Sequence, residues 1–397
     1  MTRSLPGLNI LVVGGGMISR EVILPTLFQE RRRGTVAQVA VAARTGKTIR
    51  SLRRAFPKEP LIGFPSGRET DPKAYEKAIA RLAPPACVIV ATPDDLHTDV
   101  VLCAIRHGID CIVEKPLCLR AREARAIARA ASRKGVYVLT DYHKRHDRAV
   151  RLLKRRVRQG ELGEILHGYA WIEEKKEMPL KNFARWCERS SSFEYIGVHY
   201  VDVFHYVTGL LPKRLCAFGQ KKFLPSAGKN AYDAIEALIE WRNGSALWVE
   251  TAWVCSDAQS ALTSQGMHLH GTLGEYRADH KDRNLSIVSD ARGFQHVNPN
   301  FFQGYDSFDD GTEYVGYGYD SILQGLNDVR RIASETADLP PAKALARRKA
   351  LLARWATSRA LPEQALIGTA VIEGVRLSLS KGGRFVAFDE RWNPRLE

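Results

Sequence analysis

The stretch Leu8–Ser19, LNILVVGGGMIS, decides the fold. Leu8–Val13 is a short apolar run that ends in Gly14-Gly15-Gly16. A helical stretch follows, with Ile18, Val22, Ile23 and Leu27 at three- and four-residue spacing. Strand, glycine turn and helix in that order make a dinucleotide-binding opening. Gly14 permits a tight turn, Gly16 lets the backbone approach a pyrophosphate, and the helix N-terminus supplies free N–H groups. Ser19 stands at the third position of G-x-G-x-x-G/A, where a small residue lets helix and strand pack closely. Gly14, Gly16, Met17 and Ile18 are the candidate cofactor contacts of this turn.

Working outward, Val39–Ala43, Cys87–Thr92, Cys111–Glu114 and Val136–Thr140 are further short apolar runs set between helical patterns. Such runs indicate parallel strands buried on both faces, hence a doubly wound sheet. After Tyr142 the pattern changes. Ile235–Trp241 and Ala246–Val254 alternate apolar and polar residues and meet near Asn243-Gly244, a strong hairpin signal. Ile235, Ala237, Ile239 and Trp241 share one face; Glu236 and Glu240 share the other. The predicted fold is α/β. Residues 1–141 form an N-terminal Rossmann doubly wound parallel sheet. Residues 142–397 form a C-terminal α+β domain with a large open, mainly antiparallel sheet. Trp248 and Trp253 fall on opposite faces of their strand, so both sheet faces carry apolar material. A homo-oligomer is the expectation.

The 397 residues suffice for two domains without disulfide staples. No apolar run approaches the ~18–20 residues that span a bilayer, and the opening residues do not read as a secretory signal. Seven scattered cysteines, never spaced C-x-x-C, point to reduced thiols in a cytoplasmic protein and to no zinc ribbon. The net charge of +15 permits an anionic partner. Its densest segment, Arg120–Arg158, carries only two aromatics, Tyr137 and Tyr142, and reads as a solvated helix face. No helix-turn-helix, RNA-binding or zinc-finger pattern directs the charge, so neither nucleic acid nor membrane is an expected partner.

The end of the second strand bears on the cofactor. A carboxylate there would hold the ribose 2′-hydroxyl of NAD. The chain reads Val-Ala-Ala-Arg-Thr instead, with Ala43 and Arg44 at that place. An arginine without an acid beside it suits a 2′-phosphate, with Thr45 and Lys47 to assist. NADP(H) is favoured over NAD(H).

Two further stretches narrow the reading. Ala91–His97, ATPDDLH, follows the strand at Cys87, and Val113–Leu117, VEKPL, follows the next. With Gly14–Ser19 and the downstream Gly197–Asp202, GVHYVD, they resemble the Gfo/Idh/MocA family, named for glucose–fructose oxidoreductase and inositol dehydrogenase. Gly160–Ile165 (GELGEI) and Gly271–Gly274 (GTLG) extend the resemblance along the chain. It implies a pyridine-nucleotide oxidoreductase acting on a sugar, cyclitol or related polyol, with residues 142–397 for substrate binding and oligomerisation and a dimer or tetramer as the assembly. Lys115 would polarise the reacting oxygen and His199 would be the acid/base. An imidazole with a pKa of about 6.5 can take a hydroxyl proton or return one near neutrality. Thr92, Pro93, His97, Glu114, Lys115, Arg145 and Trp186 become candidate cofactor contacts. Lys115, Arg185, Tyr195, His199, Asp202 and Tyr319 become candidate substrate contacts.

One departure stands out. The family often has Asp four residues before the histidine; here that residue is Tyr195, one helical turn away and a candidate catalytic proton donor. The change leaves two alternatives open. One is a glycosidase or lyase that holds its nucleotide tightly and works by transient oxidation. The other is a non-catalytic NADP-sensing regulator. His199, Asp202 and His205 also spell H-x-x-D-x-x-H, but at ~100° per residue His205 is rotated by roughly 240° from His199, so no metal is expected.

Overall fold

The structure, a computed structural model, describes residues 7–308 and 311–397. It divides into two compact units. The first runs to Cys118 and includes Glu123–His143 and Phe302–Ala365; the second holds Leu119–Arg122, Lys144–Phe301 and Leu366–Glu397. A single boundary after residue 141 therefore does not describe the division. The reason lies in a late helix, described below.

The first unit is built on six parallel strands: β1 (Leu8–Val13), β2 (Val36–Ala42), β3 (Ile62–Phe64), β4 (Ala86–Val90), β5 (Asp110–Glu114) and β6 (Val138–Asp141). Their order is β3-β2-β1-β4-β5-β6. Strand order reverses between β1 and β4, where open α/β sheets take their ligands. Every residue of β4, β5 and β6 is buried, which is why these strands read as unbroken apolar runs. The connecting helices are α1 (Leu24–Arg32), entered directly from a π-helical turn at Ser19–Ile23 after the glycines, α2 (Gly46–Ala55), α3 (Ala74–Ala80), α4 (His97–Arg106) and α5 (Ala121–Lys134).

The second unit opens with α6 (Arg148–Arg158) and β7 (Ile165–Lys175). A π-helical turn, Phe193–Gly197, leads into α7 (Val198–Thr208). Then come β8 (Pro212–Gln220), the single turn α8 (Phe223–Ser226), β9 (Ala234–Trp241), β10 (Ala246–Cys255), β11 (Thr263–Gly271) and β12 (Glu275–Asp279). A separate hairpin joins β13 (Ser286–Ser289) to β14 (Gly293–His296).

The predicted hairpin is β9–β10, turning at Gly244 with φ +88°. Ile235, Ala237, Ile239 and Trp241 are buried as predicted, and the Trp241 ring lies 4.5 Å from Phe204 of α7. The other face carries Trp248, Glu236 and Glu250 at half-burial.

The chain next forms the hairpin β15 (Gln303–Asp306) and β16 (Thr312–Val315), then α9 (Tyr317–Thr336), α10 (Pro341–Trp355) and α11 (Pro362–Ser380). It ends in β17 (Val386–Phe388) and β18 (Pro394–Leu396). These two complete an eight-stranded sheet of order β12-β11-β7-β10-β9-β8-β17-β18. All its neighbours are antiparallel except β7 and β10.

Helix α9 is what breaks the single-boundary division. Its buried stripe of Ile322, Leu326, Val329 and Ile332 packs on β4, β5 and β6 of the first unit. Gly325 makes the approach possible, since a Cβ there would lie 2.6 Å from Ile112 and 3.1 Å from Leu139. Arginines reach buried acids in the same unit: Arg348 pairs with Asp110, and Arg359 with Asp328 at 2.6 Å. Two of the arginines are thus neutralised internally. None of the seven cysteines forms a disulfide. Among the described residues, no helix is long and apolar enough to cross a membrane.

Candidate active site

In the first unit, the turn after β1 is tightly specified. Gly14 has φ +116°, and a Cβ on it would fall 2.1 Å from the Ala91 carbonyl oxygen. No other residue fits. Gly16 is the opposite case: it is exposed, and a Cβ there would meet nothing within 4 Å among the described residues. Met17 and Ile18 beside it are half-buried. Ser19 does more than stay small. Its hydroxyl donates to the Gly14 carbonyl at 3.0 Å and closes the turn.

At the end of β2, Arg44 is exposed. Thr45 caps α2, its hydroxyl accepting from the Thr48 N–H at 3.3 Å. Thr45 is therefore committed to the helix end and offers less to a phosphate than the sequence predicts. A carboxylate does lie along this edge, since the Asp71 N–H donates to the Arg44 carbonyl at 2.9 Å. Its side chain is held by Lys77 at 3.1 Å and by the Lys73 N–H at 2.9 Å, which pull its pKa down.

After β4, Thr92 and Pro93 are half-buried. The Thr92 hydroxyl oxygen is buried and makes no hydrogen bond among the described residues, so it suits a polar ligand atom. His97 corrects the sequence reading. Its Nε2 lies 2.9 Å from the Thr92 carbonyl oxygen and its Nδ1 2.7 Å from that of Pro116. Both ring nitrogens are taken, and the ring is buried. His97 ties the loop after β4 to the loop after β5; it is not exposed to a cofactor.

Glu114, the last residue of β5, and Lys115 after it are buried at 8% and 6% exposure. Glu114 is the register partner of Asp141 on β6. Burial, then the Asp141 charge, pushes the Glu114 carboxyl up to about 8; burial pushes Asp141 up to about 6, and Lys115 opposes both shifts. The sequence names Glu114 as a cofactor contact and misses this pairing, which only strand register reveals. Tyr319 is a second correction. It is buried, bonded to Glu30, and accepts from Arg33 at 2.6 Å, at the far end of α1 from the glycine turn. It joins α9 to α1 and lines no substrate site there.

In the second unit, the π-helical turn already winds the chain at Phe193, so Tyr195 stands one turn before His199 in continuous helix. Gly197 allows this helix to lie close on the sheet, since a Cβ there would be 2.8 Å from Thr251. His199 is 3% exposed. Asp202, one turn on, receives Arg145 through two hydrogen bonds of 2.8 and 2.7 Å. Two residues assigned separately to cofactor and substrate thus form one ion pair. The Tyr195 ring lies 4.7 Å from Phe183, 5.3 Å from Trp186 and 6.3 Å from Trp253. Phe183 and Trp253 were not foreseen. Trp253 is fixed by its indole N–H donating to Glu174 at 2.9 Å. Arg185 is exposed. His205 points its Nδ1 at the Leu210 carbonyl, 2.8 Å away, and burial lowers its pKa. Among the described residues no cluster of three or more His, Cys, Asp or Glu could hold a metal.

The glycine turn, the open space at Gly16 and the unsatisfied Thr92 hydroxyl together fit a bound dinucleotide. Comparison with known proteins agrees. Residues 8–142 match the Gfo/Idh/MocA oxidoreductase family, NAD-binding Rossmann fold, and residues 150–277 match that family's C-terminal domain. The chain is 25% identical over 202 residues to a 2,7-anhydro-N-acetylneuraminate hydratase of Mediterraneibacter gnavus, covering 47% of this chain and 53% of the relative. It is 23% identical over 278 residues to a levoglucosan dehydrogenase of Pseudarthrobacter phenanthrenivorans, covering 62% and 70%. The chain thus spans about half the length of the first relative. An inositol dehydrogenase homolog of Azotobacter vinelandii, solved with NADH and myo-inositol, has the same fold. Its TM-score is 0.70 at 20% identity, over 96% of this chain and 98% of that one. By fold, motifs and both domain matches, the chain belongs to the Gfo/Idh/MocA oxidoreductases.

Proposed function

We propose that the protein is an oxidoreductase acting on a CH–OH carbon of a sugar, cyclitol or related polyol, with NADP(H) favoured over NAD(H). The observation that carries the reading is Lys115, buried beside Glu114 at the C-terminal end of β5, in a chain that also keeps His199 buried at the start of α7. A bound nicotinamide supplies or accepts the hydride. Gly14, Gly16 and the helix N-terminus beyond them hold the pyrophosphate, and Arg44 takes the 2′-phosphate. The Lys115 ammonium polarises the reacting oxygen. His199 takes the hydroxyl proton in oxidation and returns it in reduction. Tyr195, set among aromatic rings, is a second proton donor at that helix.

The test is to release any copurified nucleotide by denaturation and to follow a panel of sugars and polyols at 340 nm. Turnover with NADP+ supports the reading. Bound NAD alone, with no response to NADP+, overturns the Arg44 assignment.

A second reading is a lyase or glycosidase that holds its nucleotide and oxidises its substrate transiently. It is favoured by Tyr195 where a carboxylate is usual and by similarity to a protein named a hydratase. Product formation without net change at 340 nm would select it. Association through the half-buried sheet face that carries Trp248, and a reducing cytoplasmic setting for the seven thiols, complete the proposal.

A further inference from the structure

Glu114 and Asp141 are direct register partners on parallel strands, so their side chains leave the same face of the sheet. That face lies under α9. Gly325 sits over Ile112 and Leu139, two residues earlier on each strand, and Ser321 lies one turn nearer the start of α9 with its hydroxyl donating to the Gly318 carbonyl at 3.1 Å. Both carboxyls are buried, at 8% and 4% exposure. Asp141 Oδ1 makes no hydrogen bond among the described residues. A site this dry does not hold two ionised carboxylates side by side; one of them keeps its proton. The charges acting on Glu114 are those of Asp141, Lys115 and Asp94. Lys115 is the charged group acting on Asp141, and α9 contributes the neutral Ser321 hydroxyl. Lys115 therefore acts on both acids.

Resting on the role given to Lys115 above, we propose that Glu114 and Asp141 share a single proton and that the one negative charge left on the pair seats the Lys115 ammonium. Glu114 and Asp141 are then positioning residues for the group that polarises the reacting oxygen. At neutral pH the pair and Lys115 sum to zero charge. Loss of the second proton leaves a net negative cluster where the reaction needs a positive one.

Both acids have raised pKa values in the folded chain, so they bind protons more tightly folded than unfolded. Their contribution to stability is full below about pH 4 and is lost as pH rises through about 6 and then 8. Asp141→Asn removes one of the two acids and relieves the repulsion on the other. Two measurements test the proposal: the thermal midpoint of the nucleotide-free protein between pH 5 and 9, and kcat and KM across the same range.

The expected result is a midpoint difference between D141N and wild type that moves in the variant's favour from pH 5 to pH 8, with the alkaline fall of kcat lost in D141N and kept in Asp141→Glu. A midpoint lowered equally at every pH, or a wild-type kcat profile, overturns it. If D141N does not fold, Glu114→Gln serves. It removes the other acid of the register pair, and the midpoint difference from wild type should again move in the variant's favour from pH 5 to pH 8; a difference that is the same at every pH overturns the proposal. Lys115→Ala separates the two ideas. Full activity in that variant overturns the functional reading, whereas an inactive K115A beside a D141N that keeps the wild-type pH profile overturns the acid pair alone.

Discussion

Arg145 grips Asp202 through two parallel hydrogen bonds, and both side chains are more than nine-tenths buried. Fork-to-carboxylate geometry of this kind is the strongest form of ion pair, and the Arg145 guanidinium also lies 4.7 Å over the Tyr206 ring. Asp202 is one turn beyond His199 on α7, so the pair fixes the helix that carries the proposed acid/base. Replacing one partner strands a buried charge at a cost of about 3–5 kcal/mol. Asp202→Asn should lower the urea midpoint by a corresponding amount, and the double variant R145M/D202L should recover most of it. Wild-type unfolding of D202N would remove the pair from any structural account.

Gly14 and Gly16 should respond differently to the same substitution. Gly14→Ala drives a Cβ into the Ala91 carbonyl and should destabilise the nucleotide-free protein. Gly16→Ala adds a methyl to open space, so thermal stability should hold while the nucleotide Kd rises at least tenfold. Equal effects of the two on apo stability would count against a nucleotide at this turn.

Arg44→Ala should discriminate between cofactors. A charged hydrogen bond to a phosphate is worth about 1.5–3 kcal/mol, or roughly 10- to 100-fold in affinity. Fluorescence titration should show that loss for NADPH and little change for NADH. Parallel losses for both would assign Arg44 to a different contact.

At α7, His199→Ala should cut kcat by about 10²–10⁴-fold, as expected when a general acid/base is removed. Tyr195→Phe keeps the ring that packs against Phe183 and Trp186 and deletes only the phenol. A drop in kcat at unchanged thermal midpoint would identify the hydroxyl as a proton donor. An unchanged kcat would leave Tyr195 as packing.

The N-terminal sheet was legible because its signals are local. An apolar run, three glycines and a helical stripe lie within Leu8–Leu27, and the β9–β10 hairpin announces itself by alternation around Asn243-Gly244. What escaped reading was set by contacts distant in sequence. The stripe on α9 shows that the helix is buried but not which sheet buries it, and Tyr319 was misassigned with it. Arg145 and Asp202 are 57 residues apart, and nothing in either motif names the other. His97 belongs to a recognisable motif, yet its two carbonyl partners come from separate loops. Glu114 and Asp141 became neighbours only through the register of β5 and β6.

The return of α9 to the first sheet means that the nucleotide-binding unit cannot be released by cutting one bond. A fragment ending at residue 141 would expose Ile112 and Leu139 to water and uncover the acid pair two residues further along the same strands. Such a fragment should aggregate on expression, and swapping the first 141 residues between relatives should fail unless the partner helix travels with them.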